Sequence, residues 1–131
     1  QRYINYAKEK YNSRPNTRFI CGNWSSIEWP QNIRIISLLG LLHHIPDDQA
    51  KEVISLSLQN LSSGGSILSL DGCPDDQSSY FERFFYWIDR GRFIRTEPHL
   101  RSLFPSGVDS TIHDNWLKVP YRYLLCRMVK E

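Results

Sequence analysis

The most ordered pattern in the chain runs from Ile33 to Asp48. It opens with a β-branched apolar run, Ile33, Ile35 and Ile36, continues through Leu38 and Leu39, and breaks at Gly40. Leu41-Leu42-His43-His44-Ile45 follows, and Pro46 stops it. Beyond Asp47 and Asp48 the apolar spacing becomes helical: Ala50, Val53, Ile54, Ser57, Leu58 and Leu61 fall on one face. The pattern predicts a buried strand over Ile33–Leu39, a loop, and a helix from about Gln49 to Leu61 capped by Asp47 or Asp48. Acidic residues at that point suit the positive end of the helix dipole. Ser62-Ser63-Gly64-Gly65 then supplies the glycine expected at a helix end. Ser66–Leu70 reads as the next strand, closing on Asp71-Gly72. Strand, helix and strand at this length form a βαβ unit, which holds its two strands parallel.

The flanks are less regular. Gln1–Asn12 reads as an amphipathic helix with Tyr3, Ile4, Ala7 and Tyr11 near one face, entered with no capping residue before it. Thr17–Trp24 reads as a short strand and Ser25–Asn32 as a connection containing Pro30. Ser78 or Ser79 starts an aromatic helix over Tyr80–Asp89, with Phe81, Phe84, Phe85 and Ile88 on one side. Pro98–Phe104 reads as a short helix. Val108–Trp116 and Tyr121–Val129 read as two strands that pair as an antiparallel hairpin.

Composition narrows the class. A chain of 131 residues, 40% hydrophobic and 23% charged, is enough for one globular domain. A net charge of +2 gives no argument for nucleic acid. No apolar run approaches the roughly 20 residues of a membrane helix. Gln1–Tyr11 is polar, unlike a secretory leader. The three cysteines, Cys21, Cys73 and Cys126, lack CxxC spacing, so they read as reduced thiols, small buried hydrophobes in a cytoplasmic protein. No metal-ligand spacing is present.

Leu41-Leu42-His43-His44-Ile45-Pro46-Asp47, followed by Leu61-Ser62-Ser63-Gly64-Gly65-Ser66-Ile67-Leu68 and a strand-ending Asp71, resembles class I S-adenosylmethionine-dependent methyltransferases. Tyr3-Ile4-Asn5-Tyr6-Ala7-Lys8 is similar to that family's second helix, and Thr111–Arg127 to its last two strands. The resemblance covers essentially the whole chain and implies one domain over 1–131. The implied fold class is α/β: a Rossmann-like three-layer sandwich with a C-terminal antiparallel hairpin, N-terminally incomplete. The family's Gly-rich cofactor loop and acidic ribose ligand are absent, because Gly64-Gly65 follows a helix instead of opening one. The resemblance thus implies that a first strand-helix-strand unit is missing, leaving a gap between the Thr17–Trp24 and Ile33–Leu39 strands and an unpaired edge. A truncated record or a fragment of a longer chain, inactive alone, is the expectation.

The resemblance also assigns roles. S-adenosyl-L-methionine is the implied cofactor, with Gly22, Asn23 and Trp24 near its adenine and Leu38, Leu39, Gly40 and Leu41 near its methionine part. Asn23 offers a side-chain acceptor in place of the usual acidic residue, or simply forms a turn; Trp24 stacks on adenine or belongs to the core. His44 is the implied catalytic residue, and His43, Asp71 and Tyr80 face the substrate. Each has a plainer reading: a packing or capping histidine, an aspartate that orders its loop, an aromatic on a partner surface. In an extended segment His43 and His44 would point opposite ways, a poor metal pair. Arg83, Arg90, Arg92, Arg95 and Arg101 crowd one region and read as a solvated basic face before an anion site. His99, His113 and Asp114 remain as candidate general bases. The implied reaction is methyl transfer to a small-molecule acceptor, with neither nucleic acid nor membrane as partner. The alternative is a non-catalytic interaction module of the same fold, using its sheet edge and aromatic helix.

Overall fold

Ile33–Leu39 forms strand β1 and Leu61–Gly72 forms β2, and the two run parallel with Ile36 against Ile67 and Leu38 against Ser69. The helix between them, α2, spans Asp47–Asn60. This is the βαβ unit that the apolar spacing predicts. The computed structural model describes residues 2–11, 13–76, 78–88, 91–106, 109–113 (side chains of 110–113 excepted) and 122–131. Its other elements are α1 (Arg2–Tyr11), a 3-10 turn (Leu42–His44), α3 (Tyr80–Ile88), α4 (Glu97–Arg101), β3 (Asp109–His113) and β4 (Tyr123–Val129). The strands form a four-stranded sheet in the order β1-β2-β4-β3. The last two strands pair antiparallel with each other, and β4 runs antiparallel to β2. Parallel strands and a closing hairpin therefore share one α/β sheet, as expected.

Alternation decides what each sheet face does. Leu38, Ile67, Ser69, Asp71, Leu124, Cys126 and Met128 are buried on one face. Ala50, Val53 and Ile54 of α2 cover it, together with Leu100, Leu103 and Phe104 from α4 and the turn after it. The other face carries Ile35 and Leu39, which are 62% and 66% exposed. No side chain of α1 is buried, although Tyr11 stacks on Phe19 at 6.2 Å.

Four local expectations are corrected. Thr17–Trp24 is irregular, not a strand. A strand needs an edge to bond to, and β1 pairs only with β2 among the described residues. Helix α2 ends at Asn60, within one residue of the expected Leu61, but Gly64-Gly65 does not terminate it: Leu61 already turns extended (φ −70, ψ 145). Lys130 Nζ explains the stop: it donates to the carbonyls of Gln59 and Leu61 at 3.1 and 2.7 Å, completing a helix end that points negative charge outward. The two glycines lie inside β2, in a bulge where Ile33 pairs Leu61 and Ile35 already pairs Ser66. Gly64 holds φ +71 there, and Gly64 N–H and Gly65 C=O bond the backbone of Lys130 at 2.8 Å each. Finally, neither Asp47 nor Asp48 caps α2, whose N-cap is Pro46 without a side-chain bond. Helix α3 does have a capping box: Ser79 Oγ accepts Glu82 N–H at 3.2 Å, and Glu82 Oε2 accepts Ser79 N–H at 2.7 Å.

The two faces should answer mutation differently. Ile67→Ala, in the fully buried centre of β2, is expected to cost about 2–5 kcal/mol in urea denaturation. Leu39→Ala, on the exposed face, is expected to stay within about 0.5 kcal/mol of the parent. Equal losses would show that the sheet buries both faces.

Candidate functional site

Beyond Leu39 the chain leaves the sheet at Gly40, whose φ of +60 only glycine adopts without strain. Its N–H still donates to Leu70 C=O at 2.8 Å, so the turn starts from a fixed point. Leu42–His44 then makes one 3-10 turn, with Leu42 wholly buried, and Pro46 ends it. The segment is a helical turn and not extended, so the condition under which the two histidines would point opposite ways is not met. The two rings lie on the same side, centroids 4.1 Å apart, with His43 buried and His44 exposed.

Asp71 sets this geometry. Leu70 is the last residue of β2 paired with β1, so the next side chain on the buried face arrives beside the turn. Asp71 is 2% exposed, and its Oδ1 accepts His43 N–H at 3.2 Å and lies 2.9 Å from His43 Nδ1. A carboxylate can only accept, so Nδ1 carries the proton. Asp71 Oδ2 is buried and finds no partner among the described residues.

Arg95 grips the same loop from the opposite side. Its Nη1 donates to Leu42 C=O at 2.6 Å and to Phe93 C=O at 2.9 Å, and Nη2 donates to Ile45 C=O at 2.8 Å. Its Nε donates to Asp47 Oδ1 at 2.8 Å. Arg95 is 4% exposed, so the solvated basic face is corrected here: this arginine is a structural clamp. Phe93 N–H adds a bond to His43 C=O at 3.0 Å. Gly91 makes the approach possible, since a Cβ there would lie 2.4 Å from His43 Cδ2. Asp47 also meets His99 Nε2 at 2.7 Å. The bond from His99, then that from Arg95, holds the Asp47 carboxyl below its ordinary 3.8. Sequence reading put Arg95 on a solvated face and gave Gly91 no part in the site. The available signal was an arginine directly after the apolar pair Phe93-Ile94, with Gly91 shortly ahead.

The other expected site residues scatter. Leu38 is packed into the core, so only its backbone reaches the strand end, while Leu39 is exposed and Leu41 packs against the core edge. Gly22, Asn23 and Trp24 lie in the irregular segment. Asn23 Oδ1 accepts Ser25 N–H at 3.3 Å, a turn-forming use of that side chain. Trp24 packs against the core and donates to Glu52 at 3.3 Å. Tyr80 is 94% exposed and borders a cavity of about 320 Å³ with Ser78, Ser79 and Arg83. A second cavity of about 350 Å³ lies past the end of β2, between Cys73–Asp76, Thr96–Pro98 and Arg122. Neither is lined by Gly40–His44. Burial pushes the Cys73 and Cys126 thiols up to about 11, so both stay protonated at neutral pH and neither is a nucleophile. Among the described residues no group of three His, Cys, Asp or Glu side chains is placed to hold a metal. No helix there is long and apolar enough to cross a membrane. Arg90, Asp114 and the side chain of His113 lie outside the described residues.

Comparison with solved structures agrees with the α/β fold. The chain superposes on mitomycin 7-O-methyltransferase MmcR with a TM-score of 0.75 at 14% identity, over 96% of this chain and 39% of that one. Human N-acetylserotonin methyltransferase, solved with S-adenosylmethionine, matches at 0.73 with 17% identity, over 97% and 37%. A structure described as a pericyclic reaction enzyme matches at 0.65 with 15% identity, over 98% and 40%. No family model and no curated sequence matches the chain. The protein therefore has the α/β fold of the S-adenosylmethionine-dependent methyltransferases and spans about two-fifths of the length of these solved structures.

Arg95→Met, which removes a buried cation from three carbonyls and a carboxylate, is expected to cost about 3–5 kcal/mol in chemical denaturation. Acid should act through Asp47. Its folded-state pKa is depressed, so its contribution is present above the unfolded value and is lost as pH falls through the folded one. The urea midpoint should fall on acidifying below about pH 4, and Asp47→Asn should flatten that fall. An unchanged slope in the variant would remove the Asp47 cluster from the acid response.

Proposed function

We propose that this chain is part of an enzyme that transfers a methyl group from S-adenosylmethionine to a small-molecule acceptor, with neither nucleic acid nor membrane as partner. One observation carries this: the parallel strand end at Leu39-Gly40, held rigid from both sides, sits where ligands bind in such sheets, in a fold shared with methyltransferases over nearly the whole chain. The cofactor brings a methyl group on a positively charged sulfur, so the protein's task is positioning and exclusion of water.

The residues at the strand end fit that task in part. Leu39, Gly40 and Leu41 offer backbone groups beside an exposed leucine side chain, suited to the apolar and amino-acid portions of the cofactor. Leu38 contributes only its backbone. Asn23 fits the adenine less well, since its acceptor oxygen already serves Ser25. His44 is the exposed imidazole of the loop, and it takes the proton of the acceptor as the new bond to carbon forms. His43 and Asp71 hold that imidazole's backbone in place from beneath, while Tyr80 borders a cavity apart from the strand end.

Calorimetric titration of S-adenosylhomocysteine into this chain, and into a longer chain containing it, tests the proposal. Saturable binding is expected, with methyl transfer in the longer chain. For a hydroxyl acceptor His44→Ala should lower kcat about 10²–10⁴-fold with little change in stability. His43→Ala should lower the thermal midpoint as well. No binding by either chain would sink the methyltransferase and favour an interaction module.

A further inference from the structure

We infer, on the reading of His44 as the group that takes the acceptor's proton, that Arg95, oriented by Asp47, is the positioning residue for its imidazole. His44 has little of its own to hold it. Its ring is exposed, and among the described residues it makes no hydrogen bond; its ring contact is with His43, centroids 4.1 Å apart. Where the imidazole points is therefore set by the backbone it hangs from and by the His43 ring beside it. Both ride on one 3-10 turn of three residues, too short to hold its own shape. The closing bond of that turn, Ile45 N–H to Leu42 C=O, is 3.4 Å, beyond the ordinary range.

The hold comes from outside the turn. Arg95 Nη1 donates to the Leu42 carbonyl ahead of the histidine pair and Nη2 to the Ile45 carbonyl behind it, at 2.6 and 2.8 Å. Phe93 N–H takes the His43 carbonyl between them at 3.0 Å. One guanidinium thus brackets the pair, and a shift of its plane shifts both ends of the turn together. A guanidinium is planar, with donors in fixed directions, so holding one edge sets the others. Asp47 holds that edge: its Oδ1 accepts Arg95 Nε at 2.8 Å and lies 2.8 Å from Nη2. Its Oδ2 meets His99 Nε2 at 2.7 Å, which keeps the carboxylate from turning.

A residue needed only for charge balance would be replaceable by another cation. A lysine at this place would still face Asp47 with a positive charge. Its donors radiate from one rotating nitrogen, so they do not reproduce the separate directions of Nε, Nη1 and Nη2. Arg95→Lys therefore keeps the cation and removes the fork. Helix α4 supplies a control. Arg101 and Glu97 bond each other at 2.8 Å and, among the described residues, no atom of the histidine turn. Breaking that pair disturbs the same helix without touching the bracket.

NMR of this chain with isotope-labelled histidine is the test. In the parent, three-bond couplings are expected to place the first side-chain torsion of His44 in one staggered well for more than about two-thirds of the time. In Arg95→Lys no well should hold more than about half, with the amide shifts of β2 and β4 unchanged. Asp47→Ala should spread the populations in the same direction, and Arg101→Ala should leave them as in the parent. In the methyl-transfer assay of the longer chain, Arg95→Lys should lower kcat about 10–100-fold and leave KM for S-adenosylmethionine within about twofold. A parent His44 already spread over its wells, an Arg95→Lys variant as fixed as the parent, or equal spreading in Arg101→Ala overturns the proposal. So does a raised KM with kcat kept. If Arg95→Lys does not fold, Asp47→Ala decides, and a fixed His44 there is the overturning result. The couplings need no cofactor, so a failure to bind S-adenosylhomocysteine would sink the methyl-transfer reading alone, while the His44 populations judge the bracket.

Discussion

A carboxylate taken out of water must be met by donors, or it costs several kcal/mol. Asp71 is that carboxylate here. It stands at the end of β2 on the face that everything else in the sheet uses for apolar packing. Two donors of one residue, His43 N–H and Nδ1–H, satisfy its Oδ1. Both can reach a single oxygen only if the chain curls back over the strand end. The 3-10 turn at Leu42–His44, the positive φ at Gly40 and the sharp stop at Pro46 all follow from that requirement. The turn in turn leaves the Ile45 carbonyl, and the Leu42 carbonyl beyond its bond from Ile45 N–H, open to a further donor. Arg95 is the answer to those. Negative charge below the loop and positive charge behind it lock the same few residues.

Such a loop is well suited to present a ligand site and poorly suited to be one itself. Its polar groups are largely committed to holding shape. What remains outward is the backbone around Gly40, the side chain of Leu39 and the imidazole of His44. Preorganisation of this kind matters most where the reaction needs alignment more than acid–base power. A charged sulfur donor meets that condition, because its methyl group is activated before the protein does anything.

The sequence showed the scaffold better than the clamp. Ile33–Leu39, the helix after Pro46 and the closing hairpin were legible because each is repeated, periodic burial against a neighbour. Thr17–Trp24 has the same local composition as a strand and is not one, because strand identity lies partly in the partner edge. Gly64-Gly65 misled for a related reason. Glycine marks either a helix end or a bulge, and the decision rests with Lys130, more than 60 residues away. Arg95 was hidden most completely. Arginine in a basic stretch reads as solvent-facing, and only the three-dimensional placement of the loop carbonyls turns it inward. His43 and His44 were visible as a pair, but which of them is buried depends on Asp71, 28 residues on.

The same fold is found in a methyltransferase and in a protein described as a pericyclic reaction enzyme, so the fold alone does not select the chemistry. Selection must come from what the clamp leaves free. Residues 73–76 and 78–79 make one such region: it follows the end of β2 at Gly72, borders both cavities, and is pinned by the ion pair of Asp75 with Arg122. Its geometry is tied to the clamp at one end and to α3 at the other through the Ser79 cap. An acceptor bound against this segment would therefore feel both the histidine turn and the aromatic helix.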